Sequence, residues 1–136
     1  MTNKPELKPL FIDRAVIEIV GGCNYSCTMC PQDLRVGGRS KNFRRMMKID
    51  EFEGYVADCA KHGVRVINLD GSGEATLQKK LPEYIKIVKK YGAKCFIFSN
   101  GFKMQGKYMR DCVDAGLDFY RFSFVGSNEE DYTKWM

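Results

Sequence analysis

Four short apolar runs alternate with three amphipathic segments along this chain, and no other feature constrains the fold as much. Residues 15–20 (AVIEIV), 64–70 (VRVINLD), 94–99 (KCFIFS) and 117–125 (LDFYRFSFV) read as strands. Between them apolar residues recur at helical spacing: Phe52, Tyr55, Val56, Cys59 and Ala60; then Leu81, Tyr84, Ile85, Val88 and Tyr91; then Tyr108, Met109, Cys112 and Val113. A helix-length segment after each strand requires a crossover to a parallel neighbour. The order β-α-β-α-β-α-β therefore predicts an α/β chain built from (βα) units on a parallel sheet.

The boundaries carry their own signals. Asp50 with Glu53 three residues on has the form of a capping box and predicts a first helix over 50–60. Gly63, Gly92 and Gly116 stand where glycine ends a helix. Pro82 suits a first helical turn. Asn100-Gly101 reads as a turn closing the third strand, and Ser127 or Asn128 as the cap of a fourth helix. The one linker-like stretch is a loop over residues 31–49.

That loop also holds the charge. The net charge is +5, from 22 basic and 17 acidic residues. Arg35, Arg39, Lys41, Arg44, Arg45 and Lys48 lie in one segment without an acidic residue, and the remainder counts 16 basic against 17 acidic. A chain basic in one loop only is not a polycation, which argues against general nucleic-acid binding. The loop reads first as a solvated segment and second as a clamp for an acidic peptide, a phosphate or a flavoprotein donor. No apolar run approaches the roughly 20 residues of a membrane span, and the first residues lack a secretory apolar region. The expectation is a cytoplasmic protein with reduced thiols, in which six cysteines argue for metal or catalysis before disulfides.

The unusual residues collect at one edge. Cys23, Cys27 and Cys30 follow the first strand; Gly71, Ser72, Gly73 and Glu74 follow the second; Ser99, Asn100 and Gly101 end the third; Ser123 to Gly126 end the fourth. These are the carboxyl ends of parallel strands, where α/β folds build their sites. The cysteines have a C-x3-C-x2-C spacing, and three thiolates on one turning loop can converge on a single point. Thiolates select zinc, copper(I) or iron–sulfur centres. Structural zinc requires a fourth ligand, and the single histidine, His62, falls at the far end of the first helix. Three cysteines on a [4Fe-4S] cluster would leave one iron open to a further ligand.

These four motifs in this order resemble the radical S-adenosylmethionine superfamily. The phrase GCNYSCTMCP is similar to members that modify peptides or mature enzymes and carry SPASM or Twitch cluster domains. The resemblance implies a partial TIM barrel. Residues 1–136 would be the N-terminal part of its core, about four strands of six. It implies that Cys23, Cys27 and Cys30 hold three irons while S-adenosylmethionine chelates the fourth. It places Met29 near adenine; Gly71, Gly73 and Glu74 at the methionine amino group; and Ser99, Asn100 and Ser123 along the ribose and carboxylate. Ser72, and Ala75-Thr76 in place of the usual proline and apolar residue, depart from the family loop. The implied activity is reductive cleavage of S-adenosylmethionine to a 5′-deoxyadenosyl radical that abstracts hydrogen from a substrate, with a peptide or protein as candidate. The implied partner is a flavodoxin- or ferredoxin-type donor. The competing reading is a non-catalytic zinc or iron–sulfur α/β module.

Other residues have plainer expectations. Cys59, Cys95 and Cys112 fall on apolar faces and read as inert buried thiols. Tyr25 is a loop aromatic that could flank a cluster, and Tyr132 and Trp135 share a helix face. Glu18 and Asp70, in otherwise apolar strands, are candidates for polar residues turned inward in a barrel.

Overall fold

Parallel pairing runs through the chain in sequence order. The computed structural model describes residues 12–30 and 45–135. Strand β1 (Arg14–Val16) pairs with β2 (Val66–Asn68), β2 with β3 (Lys94–Ser99), and β3 with β4 (Phe119–Phe122). Helices α1 (Ile49–Lys61), α2 (Leu81–Lys90) and α3 (Gly106–Asp114) make the three crossovers, and α4 (Glu129–Trp135) follows β4. A sheet order of β1-β2-β3-β4 never reverses, as in one wall of a (βα) barrel; a doubly wound sheet would switch direction. No helix among the described residues is long and apolar enough to cross a membrane.

Alternation along the strands sets the two faces. Ile17, Ile19, Ile67, Leu69, Cys95 and Ile97 are buried against Phe52 and Val56 of α1, Tyr84, Ile85 and Val88 of α2, and Cys112 of α3. The other face carries Val16, Phe96, Phe98 and Phe119, with Arg14 over the Phe96 ring and Arg121 over the Phe98 ring. Glu18 and Asp70 fall on this second face by the same alternation, the face that a barrel turns inward.

Strand β3 spans the whole of its predicted run, while β1, β2 and β4 are shorter than theirs. β1 leaves the ladder after Val16 because its continuation is taken by the segment before α1: Met47 N–H donates to Ile19 O at 2.9 Å, and Gly21 N–H donates to Arg45 O at 2.8 Å. This antiparallel clip joins the two ends of the segment that contains the cysteines. The predicted loop over 31–49 falls largely outside the described residues; its last residue, Ile49, already belongs to α1.

The capping box does not form. Lys48, not Asp50, is the N-cap of α1, and no side chain caps it. Asp50 and Glu51 sit inside the first turn, where negative charge suits the helix dipole. Glu53 reaches α2 instead, accepting from Lys90 Nζ at 2.7 Å and Tyr91 OH at 3.2 Å. The other punctuation holds. Gly63, Gly92 and Gly116 have positive φ just past their helices, and Asn128 Oδ1 accepts from Asp131 N–H at the start of α4.

Phe52 has no exposed surface and packs on Tyr84 with ring centroids 4.9 Å apart. Phe52→Ala is expected to cost about 3–5 kcal/mol, read as a lowered urea midpoint with unchanged slope.

Burial pushes the Cys95 thiol up to about 12 and the Cys112 thiol up to about 11. Iodoacetamide at pH 8 should therefore spare both until denaturant is added. Their neutral forms favour the folded state, so this contribution is complete below the unfolded value of 9.0 and is lost as pH rises toward 12. Equal labelling of all six cysteines in the folded chain would contradict this burial.

Candidate functional site

The loop after β2 crosses the end of β1 at backbone distance. A Cβ on Gly73 would lie 1.9 Å from Val20 O and 2.8 Å from Gly22 O, so only glycine fits there. Glu74 N–H donates to Gly22 O at 2.8 Å, tying the loop to the residue just before Cys23. Glu18 secures the other side: its Oε1 accepts from Ser72 N–H at 2.7 Å, Ser72 Oγ at 2.7 Å and Gly73 N–H at 3.0 Å. The serine that departs from the family loop thus has a partner of its own. Sequence reasoning leaves the part played by Glu18 undecided. A charged residue inside AVIEIV, out of phase with Ile17 and Ile19, is the available signal.

Glu74 is 3% exposed and faces protein, not an open site. Its Oε1 accepts from Thr76 N–H at 3.0 Å, Thr76 Oγ1 at 2.6 Å and Ser99 Oγ at 2.8 Å; its Oε2 accepts from Asn100 N–H at 2.8 Å. The carboxylate therefore braces the β2 loop against the end of β3. Thr76, missed in the sequence, supplies two of the four donors. Tyr108 of α3 closes the same corner, its hydroxyl 3.0 Å from Thr76 O and 2.8 Å from Gln78 O.

Ser99 and Asn100 have protein partners as well. Ser99 Oγ also accepts from Gly101 N–H at 3.0 Å, and Asn100 Oδ1 accepts from Phe102 N–H at 3.1 Å, which forms the expected turn. Gly101 takes φ +80°, and a Cβ there would meet the Phe122 ring at 2.3 Å. Asn100 Nδ2 donates to Asn24 Oδ1 at 3.0 Å and to Cys23 Sγ at 3.8 Å. Ser123 extends the ladder through its N–H to Ser99 O at 2.8 Å, with its side chain exposed. Met29 is about half exposed, on the turn that brings Cys30 N–H to Cys27 O at 3.0 Å.

The cysteine loop is also held from the far end of the chain. Thr28 N–H donates to Trp135 O at 3.1 Å, and Thr28 Oγ1 lies 3.2 Å from Lys134 O, so α4 packs under the turn between Cys27 and Cys30. Tyr25 meets Phe102 edge-on, with centroids 6.2 Å apart, and its hydroxyl bonds to Tyr132, which raises its pKa.

The three cysteines are free thiols, Cys23 exposed and Cys27 and Cys30 half-buried. As a donor set they suit a thiolate-ligated centre in kind. Among the described residues no three His, Cys, Asp or Glu side chains stand close enough to share one metal ion, which speaks against a preformed mononuclear site; a [4Fe-4S] cube would take each thiolate on its own iron. Partial burial raises the Cys23 thiol above its ordinary value. His62 lies exposed at the end of α1. A cavity of about 640 Å³ opens beside Cys23, bounded by Gly22, Asn24, Leu77 and Tyr108, within the range of small-molecule sites. On the second face of β2, the buried Asn68 Oδ1 and Asp70 Oδ1 find no donor among the described residues.

A single parallel wall with its polar loops and a three-cysteine turn at the carboxyl edge is the architecture of part of a (βα) barrel. The family model of the Radical SAM superfamily matches residues 17–136, and the chain belongs to that superfamily. Curated relatives include a probable GTP 3′,8-cyclase of Pyrococcus abyssi, 26% identical over 85% of this chain and 36% of the cyclase. An Fe-coproporphyrin III synthase of Methanosarcina barkeri is 26% identical over 79% of this chain and 26% of the synthase. A PqqA peptide cyclase of Rhodopseudomonas palustris is 25% identical over 82% of this chain and 28% of the cyclase. The chain thus spans about a third or less of the length of these relatives. The crystal structure of BtrN in complex with AdoMet and 2-DOIA superposes with a TM-score of 0.73 at 19% identity, over 96% of this chain and 54% of that one. That likeness bears on the fold.

Two glycine substitutions test the loop crossing. Gly73→Ala puts a Cβ on backbone and is expected to unfold the chain or lower its thermal midpoint far more than Gly71→Ala. The Gly71 Cβ would meet the Cβ and Cγ of Glu18 at 2.7 Å, so Glu18 must shift, whereas the Gly73 Cβ would overlap backbone at 1.9 Å, where nothing can give. Equal midpoints for the two variants would contradict the crossing.

Proposed function

We propose that this chain is the cluster-binding and S-adenosylmethionine-binding part of a radical enzyme. The observation that carries the reading is the joining of three motif loops at one sheet edge: Glu74 ties the β2 loop to Ser99 and Asn100, Gly22 accepts from Glu74, and Asn100 reaches Cys23. Superfamily membership supports the same reading.

Cys23, Cys27 and Cys30 would hold a [4Fe-4S] cluster as thiolates, with one iron left for the amino and carboxylate groups of S-adenosylmethionine. When bound, that cluster supplies one electron for cleavage of the sulfonium to methionine and a 5′-deoxyadenosyl radical, which abstracts hydrogen from the substrate. The chain's own residues position and shield. The glycine loop, held by Glu18, offers peptide carbonyls to an ammonium, because the Glu74 carboxylate is already taken by four donors. Met29 and Ser123, exposed at the same edge, are the apolar and hydroxyl contacts assigned to adenine and ribose.

A flavodoxin- or ferredoxin-type donor in a reducing, cytoplasmic setting completes the reaction. The proposed substrate class is a peptide or protein, supported by the loop phrase around the cysteines and by the peptide cyclases among the relatives.

Anaerobic reconstitution with iron and sulfide tests the reading. The expected result is a brown protein that binds close to four irons per chain. Under dithionite it should release 5′-deoxyadenosine from S-adenosylmethionine. Cys23→Ala, Cys27→Ala and Cys30→Ala should each lose both properties while keeping the far-ultraviolet circular dichroism of the parent. A colourless protein that takes up one zinc would establish the metal-binding module instead.

A further inference from the structure

Asn100 is more deeply placed than a ligand contact at a sheet edge needs to be. It is 8% exposed, and every polar group of its side chain has a protein partner. Oδ1 is held by the Phe102 N–H of its own turn. The backbone N–H is fixed on Glu74 Oε2. Nδ2 points across to the cysteine loop, 77 residues away in sequence by its Cys23 contact, and is shared between Asn24 Oδ1 and Cys23 Sγ. Cys23 Sγ receives a second hydrogen bond from Tyr25 N–H at 3.4 Å. Cys23 is thus the cysteine that β3 itself supports.

We infer that Asn100 is a positioning residue for Cys23, and that its Nδ2–H···Sγ hydrogen bond raises the reduction potential of a cluster bound there. The inference rests on the proposed function, since it takes Cys23 as a cluster ligand. The physical reason is electrostatic. A donor aimed at a ligand sulfur stabilises added negative charge more than it stabilises the oxidised centre, and hydrogen bonds to sulfur are among the main determinants of cluster potential. The donor is well suited to this. Its amide is buried, so the field is weakly screened. Its orientation is set by the Phe102 bond on one oxygen and by the Glu74 bond on the backbone, so it does not swing with the loop. The family resemblance assigns Ser99, Asn100 and Ser123 to the ribose and carboxylate side of the cofactor. Asn100 acts elsewhere as well, linking the Glu74 brace to the first iron ligand.

The test is an anaerobic redox titration of the reconstituted chain, followed by electron paramagnetic resonance of the reduced cluster. Two variants remove the donor. Asn100→Leu is close to isosteric and loses all side-chain hydrogen bonds. Asn100→Ser keeps an oxygen that can serve the turn but is too short to reach Cys23. Asn24→Ala is the control; it deletes the other acceptor of Nδ2 and leaves the donor to sulfur in place. The expected result is a midpoint shifted to more negative values in both Asn100 variants, at unchanged iron content, with Asn24→Ala at the parental midpoint or above it. A parental midpoint in an Asn100 variant that loads its iron overturns the inference. So does an equal downward shift in Asn24→Ala, which would mean that loop tethering, not the bond to sulfur, sets the potential. Failure of the unsubstituted chain to take up iron and sulfide strikes the proposed function instead, and the inference falls with it. If neither Asn100 variant loads while Asn24→Ala does, Asn100 is needed to place Cys23 and the positioning half of the inference stands.

Discussion

Glu74 takes four hydrogen bonds on a carboxylate almost wholly removed from water. A buried carboxylate is tolerable only when its lone pairs are met, and here the donors come from two successive strand ends. That requirement explains why the β2 loop, the β3 turn and the start of the cysteine loop occupy one place. Remove the carboxylate and Thr76, Ser99 and Asn100 lose a common acceptor at once. Glu18 repeats the device one strand over, where its Oε1 gathers Ser72 and Gly73. Two acidic residues that could pass for ligand contacts are the internal ties on which the site is built.

The sheet below them has the opposite chemistry. Its helix-facing side is apolar from Ile17 to Ile97, and α1, α2 and α3 cover that one side. This asymmetry makes the wall a barrel wall. Strands that bury only one face against helices leave the other to aromatic and charged residues, and in β3 and β4 these stack as Arg121 over Phe98 and Phe96 against Phe119. The cysteine segment is held above this wall by the clip of Ile19 and Gly21 with Arg45 and Met47, by Glu74 N–H on Gly22 O, by the Asn100 amide, and by the backbone of α4 at Trp135.

Much of this was legible in the residue string. The alternation of period two and period 3.6 gives the order of elements and a parallel sheet; the single layer of helices on one face is an expectation of the family resemblance, and the structure shows it. The motif positions at the carboxyl edge follow from that order. The helix-end glycines and the Asn128 cap are readable because they obey local backbone rules. The capping box misleads because Asp50 and Glu53 satisfy its spacing wherever the helix begins, and the start is set by the pairing of Met47 with Ile19. The glycines of the β2 loop suggest a close ligand approach; in the structure it is β1 that comes close, at Val20 and Gly22.

What the sequence alone determined was the set of groups and the edge at which they gather: three thiols, two glycines, a carboxylate and an asparagine turn at the ends of parallel strands. Those follow from local spacing and from the one-way winding of β-α units. What only the tertiary structure decided was the direction of each side chain. Glu74 turns into the protein, Glu18 holds the loop, and Asn100 crosses to Cys23. Partners 25, 54 or 76–77 residues apart in sequence have no signature in spacing. They are selected by the demand that buried polar atoms be paired, and that demand exists only once the chain has folded.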